Sequence, residues 1–345
     1  MPCFMCIFAA DMKYIVNCPM KDRHTFGIDV MADLLVEFSS EYELRKVLDS
    51  LNRPALVMGA GSNLLFLGDY HGTVLHSKID GIVLESEDDS SVTVKVGSGV
   101  IWDDFVAYCV ERGWWGVENL TAIPGEVGAS AVQNIGAYGA EAADTIVRVR
   151  TLSLADRTVR TFESFECNYG YRSSVFKHEL KGQYVVTYVY FKLYKAENPN
   201  IEYGSLKQLI KELGTPSLTN IRQAVRMVRE SKLPDPKELG NAGSFFMNPV
   251  IPLKLYERIQ SEYPDIPSYP AGDGLCKVPA GWLIERCGWK GRSLGAAAVH
   301  DRQALVLVNR GGATGQEIKN LADAVINDVR SKFGVSLIAE VNYIS

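Results

Sequence analysis

Residues 123–139, IPGEVGASAVQNIGAYG, hold four glycines and four alanines or serines, and this stretch restricts the fold more than any other. Side chains so small cannot fill a core. They let two backbones, or a backbone and a flat ring or pyrophosphate, approach closely. A second small-residue run, MGAGSNLLF at residues 58–66, follows directly on the apolar residues 55–57. There, main-chain N–H groups can meet phosphate oxygens, with Ser62 and Asn63 as further donors. Taken alone, the run reads equally well as a tight turn. It is neither a G-x-G-x-x-G opening a long helix nor a G-x-x-x-x-G-K-[ST] loop.

The segments around these runs are of mixed type. Strand-like stretches at 33–38, 55–59 and 72–75 enclose a helical stretch at 41–51, a small α/β unit. Residues 91–96 alternate, 97–99 turn, and 102–112 carry helical amphipathicity. Strands at 145–154, 158–162 and 183–193 then predict a second α+β unit with a largely antiparallel sheet. A helix at 217–230 leads into KLPDPKELGNAG, whose prolines and glycines suit a connection between domains. Helices near 253–262, 280–287 and 314–333, with a strand at 304–309, predict a third domain. A last apolar strand at 337–344 returns to the second domain or lines a cleft. The expected ranges are a partly disordered leader at 1–24, subdomains at 25–81 and 82–232, a further domain at 233–336 and a closing strand at 337–345.

A chain of 345 residues, 47% hydrophobic, has apolar surface enough for these cores, and its net charge of −5 excludes a general basic face. Neither nucleic acid nor an anionic membrane is therefore expected as a partner. Seven scattered cysteines do not make a disulfide framework and fit a reducing cytoplasm. Cys3 and Cys6 have C-x-x-C spacing, but only Cys18 and His24 lie near enough to complete a zinc set, so no metal is expected. The apolar opening MPCFMCIFAAD lacks the basic start of a signal peptide and is far below the roughly 20 residues of a membrane span. It reads as an over-long start or a loose tail ahead of Met12.

Two glycine cradles in succession resemble the FAD-binding fold of the vanillyl-alcohol-oxidase (PCMH) type. Four further stretches narrow the resemblance: YGYRSSVFK at 169–177, KLPDPKELGNAGSFFMNP at 232–249, AGWLIERCGWKG at 280–291 and AEVNYI at 339–344. In this order they resemble the UDP-N-acetylenolpyruvoylglucosamine reductases, in the longer type with a tyrosine loop, over nearly everything from 25 to 344. The resemblance implies an α+β chain: a two-subdomain FAD-binding fold plus a C-terminal α+β substrate-binding domain. It also implies NADPH-dependent reduction of UDP-N-acetylglucosamine enolpyruvate through FAD, in peptidoglycan precursor synthesis; a monomer is expected.

It carries over a catalytic group onto Arg172, Ser244 and Glu340. Hydride addition to the enol ether builds negative charge into the adjacent carboxylate, and positioned cations and donors stabilise such charge. Arg172 can grip a carboxylate bidentately and stays charged. Glu340, protonated beside an anionic substrate, can support the same enolate. Ser244, a weak acid, becomes a competent proton donor only to so basic an intermediate. Without the resemblance, Ser244 reads as a turn or capping hydroxyl, and Arg172 and Glu340 as an ion pair.

Cofactor contacts implied by the resemblance are Gly59, Ala60, Gly61, Ser62, Asn63 and Leu64 in the first run. In the second they are Ile123, Pro124, Gly125, Gly128, Ala129, Ser130, Asn134, Gly136, Ala137 and Tyr138, with Arg229 beyond. Tyr203 is the residue of a loop closing on the substrate diphosphate, and Lys232, Asn248, Tyr269, Lys290 and Gln303 match other substrate positions. Two departures stand out: Asn342 replaces the arginine of the usual E-V-R ending, and Met247 stands where lysine is common. Competing readings are another flavin oxidase or dehydrogenase of the superfamily and a non-catalytic nucleotide-sugar-binding module. A hydrolase is disfavoured because Ser244 lies in A-G-S-F-F rather than G-x-S-x-G, and the five histidines offer it no evident partner.

Overall fold

The computed structural model describes residues 12–51, 54–204 and 206–345, so the apolar opening with Cys3 and Cys6 lies outside the described residues. The chain divides into two compact units. The first comprises residues 12–18, 32–59 and 71–226; the second comprises 19–31, 60–70 and 227–345. The described part of the expected leader is structured: Lys13–Pro19 is a strand and Lys21–Arg23 a 3-10 turn.

The first unit contains two sheets. One runs in the order Lys13–Pro19, Met31–Phe38, Tyr70–Ser77, Ala55–Met58, and its last two strands are parallel with Met58 opposite His76. The other is antiparallel, in the order Val159–Glu163, Ile146–Ser153, Tyr184–Tyr194, Ser91–Gly97, Ile82–Glu87. Its core follows from periodicity. Val92, Val94 and Val96 alternate inward, and the helix Trp102–Glu111 turns Trp102, Phe105, Val106 and Cys109 to one side. Phe105 meets Phe191 with ring centroids 4.7 Å apart, and the Trp102 indole donates to the Leu120 carbonyl at 2.8 Å. Each such buried side chain contributes about 1.5–3 kcal/mol. The helix Glu41–Asp49, capped by Ser40, buries Leu44, Val47 and Leu48. Its Glu41 accepts from Arg150 Nε and Nη2, at 2.7 and 2.8 Å.

The second unit also has two larger sheets, Gly240–Ser244/Val306–Asn309/Ala297–Val299/Ser293–Leu294 and Val250–Pro252/Leu275–Lys277/Tyr269–Pro270. The helix Gly315–Phe333 starts at a capping box of Thr314 and Glu317 and buries Ile318, Leu321, Ala322, Val325, Val329 and Phe333. Gly315 is required there, because a Cβ would collide with the Phe66 carbonyl. The closing strand is Asn342–Ile344, parallel to Leu64–Phe66.

Candidate active site

Among the described residues, seven non-glycine positions have positive φ, and four lie in or beside the small-residue tract of the first unit. They are Ala122 (57°), Asn134 (48°), Tyr138 (50°) and Arg172 (53°). L-residues adopt this backbone only where their surroundings enforce it, and such positions cluster at functional sites. Asn134 supplies part of the enforcement. Its amide donates to Glu141 Oε2 (2.8 Å) and the Gly170 carbonyl (2.9 Å), while its oxygen accepts from the Ala143 N–H (3.0 Å). The Arg172 guanidinium donates to the Gly136 carbonyl and, at 3.4 Å, to that of Asn134. Glu141 lies 3.9 Å away, so the cation is held against the turn carrying Gly136 and Ala137.

Several tract residues spend their groups internally. A Cβ on Gly128 would sit 2.8 Å from Ser98 Cβ, and the Gly128 N–H donates to the Ser98 carbonyl at 2.9 Å. The Val127 N–H goes to Val100 (2.9 Å), the Ser130 hydroxyl to Val127 (2.7 Å), and the Gly125 carbonyl to the Trp102 N–H (3.0 Å). Gly128 and Ser130 thus pack the helix Val127–Gln133 onto the 97–100 turn. Pro124 and Ala129 are exposed, and Ile123, Gly136, Ala137 and Tyr138 are half-buried.

The first run joins this tract through a residue the sequence reading passed over. Glu126, only 3% exposed, is the one charged residue in 123–139, which is the signal that could have found it. Its Oε1 lies 2.8 Å from His76 Nε2, with Lys78 Nζ at 3.9 Å. Its Oε2 would lie 2.9 Å from a Cβ on Gly59. Since His76 registers with Met58, this hydrogen bond holds the second tract against the end of the strand that delivers Gly59.

A loop of the first unit carries Tyr203, half exposed, whose ring meets Tyr138 edge-on at 5.8 Å. Asn119 bonds to both this loop and the Tyr138 turn. Beside it, burial pushes the Glu118 carboxyl above its usual range, although Oε2 accepts the Gly116 N–H at 2.7 Å. Asp103 goes the other way: burial would raise it, but Arg222, the Ala122 N–H and Arg226 together hold it below the usual carboxylate range.

In the second unit, Gly61 has φ 64°, and a Cβ would strike the Arg23 carbonyl at 2.6 Å, so this glycine packs the run onto the 23–24 turn. Ser62 and Leu64 are half-buried. Asn63 fastens the chain end: its amide donates to the Glu340 carbonyl (3.1 Å), and its own carbonyl accepts the Asn342 N–H (3.0 Å). Asn342, the departure from E-V-R, also turns its side-chain amide onto the Asn63 carbonyl at 3.3 Å.

Ser244 is exposed at the end of Gly240–Ser244, where the register to Val306–Asn309 shifts between Asn241 and Ser244. Gly243, at φ 66°, absorbs the irregularity. Asn241, another buried residue missed from sequence, shapes it: its oxygen accepts the Gly243 N–H (2.9 Å) and its amide donates to the Pro234 (3.2 Å) and Leu239 (2.8 Å) carbonyls. Such bulges re-aim the following side chain. Phe245 accepts the Glu340 N–H at 2.8 Å, so Ser244 and Glu340 stand on adjoining backbones.

Asn248 and Gln303 come together at the start of the helix Ala280–Arg286. Asn248 Oδ1 accepts the Ala280 N–H at 2.9 Å, and Gln303 Oε1 would lie 3.2 Å from a Cβ on Gly281. Tyr269 is exposed on its strand, Lys290 pairs with Glu285 at 3.0 Å, and Arg229 and Lys232 occupy the last turn of Leu218–Lys232.

Residues 32–163 match the FAD binding domain, and residues 235–344 the UDP-N-acetylenolpyruvoylglucosamine reductase C-terminal domain. The chain is 51% identical over 324 residues to the UDP-N-acetylenolpyruvoylglucosamine reductase of Bacteroides fragilis (strain YCH46), covering 93% of this chain and 97% of that one. It is 47% identical over 330 residues to the like-named protein of Porphyromonas gingivalis (strain W83), covering 94% and 98%. The crystal structure of the Thermus caldophilus reductase of that name shares the fold, with a TM-score of 0.68 at 22% identity over 97% of this chain and 99% of that chain. The α+β class with an FAD-binding fold is therefore as expected from the sequence, and at these identities over nearly its whole length the chain belongs to the UDP-N-acetylenolpyruvoylglucosamine reductase family.

Proposed function

We propose that this chain reduces the enolpyruvyl double bond of UDP-N-acetylglucosamine enolpyruvate to give UDP-N-acetylmuramate, with NADPH as reductant and FAD as resident cofactor. The step belongs to peptidoglycan precursor synthesis. Bound FAD supplies a two-electron relay between the two substrates. The residues present are compatible with such a cofactor: the exposed Ala129 and half-buried Ala137 are small, while the space beside Gly59 is taken by Glu126 and that beside Gly136 by Arg172. In this reading the runs 59–64 and 123–138 hold it, with Gly61, Gly128, Ser130 and Asn134 shaping the cradle from behind.

Arg172 steadies the substrate carboxylate as charge builds there, Glu340 donates a hydrogen bond to the same enolate, and Ser244 delivers the proton. Tyr203, Lys232, Asn248, Tyr269, Lys290 and Gln303 bind the nucleotide sugar. The observation that carries the reading is the bond from the Glu340 N–H to the Phe245 carbonyl, which sets a carboxyl-bearing residue beside a serine presented by a bulge. The reading extends to a cytoplasmic protein without nucleic-acid or membrane partners, supported by the net charge of −5 and the scattered cysteines. Ser244→Ala tests the assignment. Flavin reduction by NADPH should stay nearly intact while turnover of the enolpyruvate drops about 10²-fold or more; equal loss of both half-reactions contradicts it.

A further inference from the structure

Asn119 is 2% exposed and commits both amide hydrogens to main-chain carbonyls, that of Tyr138 at 2.8 Å and that of Asn200 at 2.7 Å. Both partners are acceptors, which fixes the orientation of the amide. Its Oδ1 is buried with no hydrogen-bond partner among the described residues. A buried oxygen left in that state is costly, so the side chain is held there for its two donors. Asn200 returns a bond from its own amide to the Gly139 carbonyl at 2.9 Å. Three residues on, Tyr203 lays its ring edge-on against Tyr138 at 5.8 Å. The loop root and the end of the small-residue tract are thus tied by three hydrogen bonds and a ring contact.

We infer that Asn119 is a positioning residue for substrate binding: it registers the root of the Tyr203 loop to the 138–139 turn of the cofactor tract. The loop then presents Tyr203 at a fixed distance from whatever that tract holds. A donor pair is needed, because each partner is a carbonyl and an acceptor at 119 would repel both. This inference depends on the reading of Tyr203 as a contact to the nucleotide sugar.

The test compares Asn119→Asp, which keeps the shape and removes the paired donors, with Asn200→Ala at an exposed position and Tyr203→Phe, all in the FAD-loaded protein. FAD content and the stopped-flow rate of flavin reduction by NADPH report general damage, and KM for the enolpyruvate reports the loop. Asn119→Asp should raise KM about ten-fold and Asn200→Ala a few-fold, both without slowing flavin reduction. Should Asn119→Asp fail to fold, Asn200→Ala decides. If both asparagine variants keep the parent KM while Tyr203→Phe raises it, the clamp is wrong and the loop reading survives. An unchanged KM in all three removes the loop reading and the clamp with it.

Discussion

Replacing Glu126 by alanine removes one partner of a buried hydrogen bond, with His76 at 2.8 Å and side-chain exposures of 3% and 10%. Leaving a buried hydrogen-bonding group without its partner is costly. Glu37 remains 3.8 Å from the other ring nitrogen, so the expected cost is that of one lost buried hydrogen bond, about 1–3 kcal/mol. Gly59→Ala offers a coupled perturbation. The three atoms nearest to a new Cβ all belong to the Glu126 side chain, at 2.9, 3.6 and 3.7 Å, and Gly59 is not in the left-handed region. In the parent protein the alanine must displace a fixed carboxylate, an overpacking cost of about 1–3 kcal/mol. With Glu126→Ala already in place, only the 3.7 Å contact survives, and the same alanine should cost less than about 0.5 kcal/mol. Urea denaturation of the four members of this cycle, followed by far-ultraviolet circular dichroism, should therefore show a coupling of at least about 0.5 kcal/mol. The bracing of the two glycine tracts by Glu126 is refuted if the two single costs simply add.

Two predictions concern pH. Burial raises the Glu118 carboxyl, so ionising it costs native stability; Glu118→Gln should stabilise at pH 7, and the gain should vanish in acid, where the native carboxyl is itself protonated. Guanidinium titrations at pH 7 and pH 4 check this, and a gain independent of pH would contradict it. Asp103 has the opposite sign. Its ion pairs with Arg222 and Arg226, both at 2.7 Å, hold it low, so their contribution is present above the unfolded carboxyl range and lost as pH falls through the folded value. Asp103→Asn should cost about 1–2 kcal/mol at pH 7 and progressively less in acid, read from the same titrations.

Periodicity made the central elements legible. The helix of Trp102, Phe105, Val106 and Cys109 and the alternating Val92, Val94 and Val96 announce which face is buried, and Thr314 with Glu317 announces a helix start. Edge strands gave no such signal. Lys13–Pro19 and Ile82–Glu87 end their sheets and are mostly exposed, so no alternation marks them. The small-residue tracts were recognisable as places of close backbone packing, but the division of labour inside them was not. Gly128 answers to Ser98, Gly61 to Arg23 and His24, and Asn63 to a strand near the chain end; sequence spacing carries no trace of such contacts. The buried polar residues Glu126, Asn119 and Asn241 were passed over for the same reason. Each looks like loop polarity until its partners, far along the chain or across a turn, are seen.

The most direct measurement is the anaerobic visible spectrum of the purified protein, taken alone, after one equivalent of NADPH, and after UDP-N-acetylglucosamine enolpyruvate. The account predicts oxidised-flavin bands that bleach with NADPH and return with the enolpyruvate. A colourless protein, or a flavin that stays bleached when the enolpyruvate is added, would contradict it.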